Sequence, residues 1–201
     1  MLKRAHSGFS LVELVVGLAV LALLIALGVP QYATFTANAR IRATSEGVAT
    51  GLNLARAEAV KRNARVELVL TDDLPVEALV NALTPSTSGI NWVVREWVPS
   101  TTSYNFIEGK SGAEGSGRAD TTSVQIASSS VDATYDGRVV FTGFGSMTIG
   151  EQVSFQITYP AAGTCAAANG PLRCLNINVS PGGQIRICDP KVTAAKDTRA
   201  C

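Results

Sequence analysis

The chain has 201 residues, room for one soluble domain of ordinary size plus an appended helix. Its 17 Lys and Arg against 16 Asp and Glu give a formal net charge of +1, so the overall balance offers no reason to expect nucleic acid or an acidic partner. The charges are unevenly placed. Lys3, Arg4 and the only histidine, His6, precede a long apolar run, and no further Lys or Arg occurs before Arg40.

The apolar run, Phe9 to Val29, is 21 residues long and carries one charge, Glu13. As a helix it spans about 30 Å, one hydrocarbon core. Lys3 and Arg4 set its N-terminal end in the cytoplasm and the remainder of the chain outside. A cleaved secretory signal has a shorter apolar region followed by a small-residue cleavage site, and PQYATFTANAR offers none. A plain anchor leaves Glu13 unexplained. A carboxylate among lipid tails costs about 2.5–3.5 kcal/mol even on the lenient insertion scale, and such residues are functional by default. A glutamate snorkelling to the interface is the competing reading.

The string Gly8-Phe9-Ser10-Leu11-Val12-Glu13, behind a short basic leader and ahead of an apolar helix, resembles the class III signal of type IV pilins and type II secretion pseudopilins. The resemblance implies that prepilin peptidase cuts after Gly8 and methylates the new N-terminus at Phe9. It implies a leader at 1–8, a transmembrane and assembly helix at 9–30, and a periplasmic soluble domain at 31–201. It also implies that Glu13 pairs with the N-terminal amine of a neighbouring subunit, setting axial register where an unpaired charge is very costly. Removal of the leader takes away His6, leaving 15 basic against 16 acidic side chains and no imidazole for a Ser-His-Asp triad, a Cys-His dyad or a histidine-ligated metal.

Pro30 is expected to end or kink the apolar segment. From 31 to 62 the pattern stays helical and turns amphipathic, with Ile41, Val48, Leu52, Ala55 and Ala59 on one face. Beyond Asn63 the reading switches to strands at 64–71, 90–97, 123–128, 137–143, 152–159, 172–180 and 183–188, with Pro181-Gly182-Gly183 as a hairpin signal. The expected class is α+β: a long N-terminal helix packed on an antiparallel sheet within 64–188. No fixed-period repeat is present.

Cys165, Cys174, Cys188 and Cys201 fall in the last 37 residues. An even, clustered set behind an export-type N-terminus reads as two disulfides. Three pairings are open. The short loops rich in Gly, Ala, Pro and Asn favour Cys165–Cys174 with Cys188–Cys201. The spacings of 9, 14 and 13, without any C-x-x-C pair, do not suit a zinc ribbon.

The stretch at 51–70 presents Ala55, Arg56, Glu58, Ala59, Val60, Arg62, Asn63 and Val66 in the pattern A-R-x-E-A-[VI]-x-R-N-x-x-V. It resembles the GspH/FimT group, which includes FimU-type minor pilins. The resemblance implies the type IV pilin fold and a minor pilin of a type IV pilus, in an initiating or tip complex that primes assembly for twitching motility and adhesion. The alternatives are a GspH-type minor pseudopilin of type II secretion and a FimT-type DNA-binding pilin. Implied partners are other minor and major pilins, prepilin peptidase and the inner membrane, with the chain single-pass there before reaching the pilus. The G-R-x-R motif of the DNA-binding members stands here as Gly183-Gln184-Ile185-Arg186, so Arg186, Lys191 and Arg199 form a thin set of DNA-contact candidates. No catalytic motif is found, and neither an enzyme activity, a cofactor nor a metal is expected. Asp72, Asp73, Asp132 and Asp136 do not form a calcium loop and read as turn residues.

Overall fold

A computed structural model of the chain describes residues 10–111, 124–194 and 196–201, with the side chains at 27–30 set aside. The chain divides into two compact units, Met1–Thr36 and Ala37–Cys201. One helix, α1 (Leu11–Arg62), supplies the described part of the first and opens the second. Its helical backbone continues through Pro30, so the helix does not end there as one form of the expectation had it.

In the first unit, every leucine, valine and isoleucine from Leu11 to Ile25 is exposed. The helix is apolar on all sides and long enough to cross a membrane by length and composition.

In the second unit the helix buries one stripe. Ala37, Ile41, Ser45, Val48, Leu52, Ala55 and Ala59 follow one another at steps of three or four and all lie inside. Ser45 is tolerated because its hydroxyl donates to the Ile41 carbonyl at 2.8 Å.

Two antiparallel sheets complete the core. The first has the order β4-β3-β1-β6, from β1 (Val66–Thr71), β3 (Asn91–Val98), β4 (Ser103–Lys110) and β6 (Arg138–Phe141). The second has the order β2-β5-β7-β8-β9, from β2 (Ser88–Gly89), β5 (Gln125–Ser130), β7 (Val153–Thr158), β8 (Leu175–Val179) and β9 (Ile185–Cys188). The chain changes sheet between Gly89 and Asn91. Leu68, Leu70, Trp92, Val94, Val139 and Phe141 of one sheet, and Ile126, Phe155, Ile157, Ile177 and Val179 of the other, join the helix stripe in one apolar cluster.

The expected single sheet is therefore two, and β4 is an element beyond the expected strands. β1 departs from simple alternation: all six of its residues are buried. Val69 and Val93 lie on its second face, and the connection to β2 buries Val80 and Leu83. This makes a third thin layer outside the first sheet.

Gly51 sets the distance between helix and sheet. A Cβ there would stand 2.7 and 2.8 Å from the Trp92 ring and 3.1 Å from Leu68. Alanine gains about 1 kcal/mol over glycine in a free helix, whereas overpacking a dense core costs about 1–3 kcal/mol. Because Trp92 is held in the core, the second effect wins. Gly51→Ala is expected to lower the urea midpoint of unfolding, and a raised midpoint would contradict the packing.

Candidate functional site

The N-terminus of α1 is built by two side chains. Ser10 precedes the helix, and its hydroxyl accepts from the Glu13 amide at 3.2 Å. Glu13 reaches back, its carboxylate accepting from the Ser10 amide at 2.9 Å. The pair is a reciprocal capping box that satisfies two of the donors a helix start leaves open. The negative charge also stands at the positive end of the helix dipole. The signature S-x-x-E ahead of an apolar run lies within the string Gly8-Phe9-Ser10-Leu11-Val12-Glu13, so one stretch of sequence carries both the processing resemblance and the helix cap. Gly8 and Phe9 lie outside the described residues.

The other end of α1 shows what the A-R-x-E-A-V-x-R-N pattern does. Ala55 and Ala59 are core positions. Arg56 points outward and donates to the Gly145 carbonyl at 3.1 Å, latching the helix to the turn after β6. Glu58 accepts from Lys61 at 3.0 Å and from Arg62 at 2.6 Å, and Arg62 continues to Glu96 on β3 at 2.7 Å. Hydrogen bonding from Arg62, then Lys61, holds the Glu58 carboxyl below its ordinary range. Asn63 ends the helix in the left-handed conformation, φ 48°. Gly183, at φ 78°, packs against the turn that Arg56 holds: a Cβ there would lie 2.0 Å from the Gly145 carbonyl oxygen and 3.1 Å from Arg56 Nε. The Pro181-Gly182-Gly183 turn thus joins β8 to β9 and also packs against the turn after β6.

At the C-terminus, Cys165 is joined to Cys174 and Cys188 to Cys201. The second bond returns the tail to β9, the edge of its sheet. Arg186 donates to the Ala200 carbonyl, and the Asp189 amide donates to Arg199 at 2.7 Å. Arg199 pairs with Asp197 at 2.7 Å. This hydrogen bond, with a second from the Arg199 amide, draws the Asp197 carboxyl down to about 2. Arg186 and Arg199 are thereby committed to internal partners. Lys191 makes no ion pair among the described residues, and its amide donates to Asp189 at 2.9 Å.

The remaining aspartates shape turns or pair locally. Asp73 accepts from the Thr84 amide at 2.7 Å, Asp132 from the Thr134 amide at 2.8 Å, and Asp136 pairs with Arg138 at 2.7 Å. Among the described residues no group of three or more metal-ligating side chains converges.

The described residues thus form a half-apolar helix, with a carboxylate at its start, that leads into a two-sheet core. A family model described as type II transport protein GspH matches residues 44–183, and one described as the prokaryotic N-terminal methylation motif matches residues 3–29. The chain belongs to the GspH family. Among solved structures, the type IV minor pilin FimU of Pseudomonas aeruginosa is 17% identical. Its match covers 76% of this chain and 91% of FimU, with a TM-score of 0.49. The minor pseudopilin EpsH of the Vibrio cholerae type 2 secretion system is 10% identical, with coverage of 76% and 99% and a TM-score of 0.49. No curated protein matches the chain in sequence.

Replacing an N-cap serine by alanine costs about 0.5–2 kcal/mol. Ser10→Ala is expected to speed amide hydrogen exchange at Glu13 by roughly fivefold in detergent micelles. Unchanged exchange there would contradict the capping box.

Proposed function

We propose that this chain is a minor pilin of a type IV pilus, cut after Gly8, N-methylated on Phe9, and incorporated through α1 into the small complex that primes the filament. The observation that carries this reading is the join of a methylation motif to a GspH domain by one helix whose first half is exposed and apolar on every side. A helix of that kind in an exported protein needs lipid or other helices around it. It serves first as an inner-membrane anchor, with the sheets in the periplasm, and then as the packing element of the filament.

Glu13 has a part in both settings under this reading. Before assembly its carboxylate is held by the amide of Ser10. On assembly it exchanges that bond for the amine of a neighbouring subunit. The exchange replaces one satisfied carboxylate by another, so no buried charge is left unpaired. The partners are other pilins, and prepilin peptidase is the processing enzyme.

The second reading is a minor pseudopilin of type II secretion, favoured by the description of the family model itself. Deletion of the gene separates the two. The pilus reading expects loss of surface filaments and twitching with protein secretion intact, and the opposite pattern sinks it. Restoration with Glu13→Ala is expected to give processed, membrane-bound protein that fails to enter filaments.

A further inference from the structure

The face of the first sheet turned away from α1 carries a groove of about 400 Å³, within the range of sites that enclose a ligand. Its composition follows from register. Tyr104 stands opposite Trp97, Arg95 opposite Glu67, and Glu67 opposite Val140, so these side chains share the outer face. Arg65 continues the alternation on that face one residue before β1, and its carbonyl accepts from the Trp97 amide at 3.0 Å. The groove therefore crosses all four strands in the order β4, β3, β1, β6.

Crossed in that direction, its character changes. The β4–β3 end is aromatic. The Trp97 and Tyr104 rings lie 4.9 Å apart and tilted, and the Arg95 guanidinium sits 3.7 Å over the Tyr104 ring and fixes it from the side. The β6 end offers two aliphatic side chains, Val140 and Ile149, among Thr134, Asp136, Arg138 and Thr148. Arg65 lies between.

The charges do not cancel. Glu67 is answered by Arg95 at 2.8 Å, both nearly fully buried in the floor. Asp136 is answered by Arg138 at 2.7 Å. Arg65 has no ion-pair partner among the described residues, and the groove is left with one unanswered positive charge near its middle. Three interstrand spacings make the groove about 14 Å long. That length holds four or five residues of extended chain.

We propose that this groove binds an extended peptide segment of a partner protein, with an acidic side chain on Arg65 and apolar side chains at the two ends. The acidic residue supplies a carboxylate for the guanidinium fork. One apolar residue lies on the Trp97–Tyr104 pair and the other on Val140 and Ile149. A polynucleotide is the poorer fit, because phosphate binding draws on several clustered cations and this groove offers one.

The test uses the full chain in detergent micelles. Of the two tryptophans, Trp92 is buried in the core and Trp97 lines the groove, so tryptophan emission reports on the site. The probe is a blocked pentapeptide with leucine at each end, serine at the second and fourth positions and aspartate at the centre. The control carries lysine at the centre. The aspartate peptide is expected to shift the emission saturably and to bind about tenfold more tightly than the control, the worth of one charge-assisted hydrogen bond. The shift is expected to vanish in Trp97→Phe, and Arg65→Glu should reverse the preference in favour of the lysine peptide. Unfolding cannot produce such a reversal. Equal response to the two peptides, no saturable shift, a shift that persists in Trp97→Phe, or an aspartate preference retained in Arg65→Glu would each overturn the proposal.

Discussion

The soluble unit depends on one stripe of side chains, from Ala37 to Ala59, lying against both sheets at once. Neither sheet is closed and neither has a core of its own. Leu68 and Trp92 on one side, and Phe155 and Ile177 on the other, are buried only because the same helix and each other cover them. The stripe is built from small and medium side chains, with Gly51 where Trp92 comes closest. A narrow helix face lets two sheets converge on it. Larger residues at Ala55 or Ala59 would part the layers.

The two halves of α1 are in opposite situations. Residues 37–62 bury a stripe inside their own chain, while the apolar residues at 11–25 are exposed on all sides. Apolar surface of that extent has to be covered by something outside the chain. Under the proposed function, that asymmetry is what suits a subunit anchored first and assembled later. The sheets are latched to the packed half through Arg56 on the Gly145 carbonyl and through the Glu58–Arg62–Glu96 chain, so residues 37–62 and the sheets hold together within the second unit.

The parts legible in the sequence are those fixed by local spacing. The stripe from Ile41 to Ala59 follows from its period, and the PGG turn from its composition. What could not be read depends on partners distant in the chain. β4 has no clean alternation, carries Gly109, and pairs across a bulge at Val94 and Arg95. The passage from β2 in one sheet to β3 in the other turns on a single residue, Ile90, which has no local signature. Glu67 reads as a solvent-facing residue of an alternating strand, yet it is buried against Arg95, because that arginine and the layer over Val69 lie far away in sequence. Of the candidate site, the S-x-x-E pair was in plain view. The roles of Arg56 and Arg65 rest on long-range contacts, and residue type alone did not show them.

The central claim of the proposed function is that the working protein is cut after Gly8 and starts at Phe9. The direct measurement is the intact mass and N-terminal fragmentation of the protein recovered from membranes of cells with and without their prepilin peptidase. The account predicts a chain starting at a singly methylated Phe9 in the first case and one retaining its basic leader in the second. A chain that keeps Lys3 and Arg4 in both, or starts at any other residue, would contradict it.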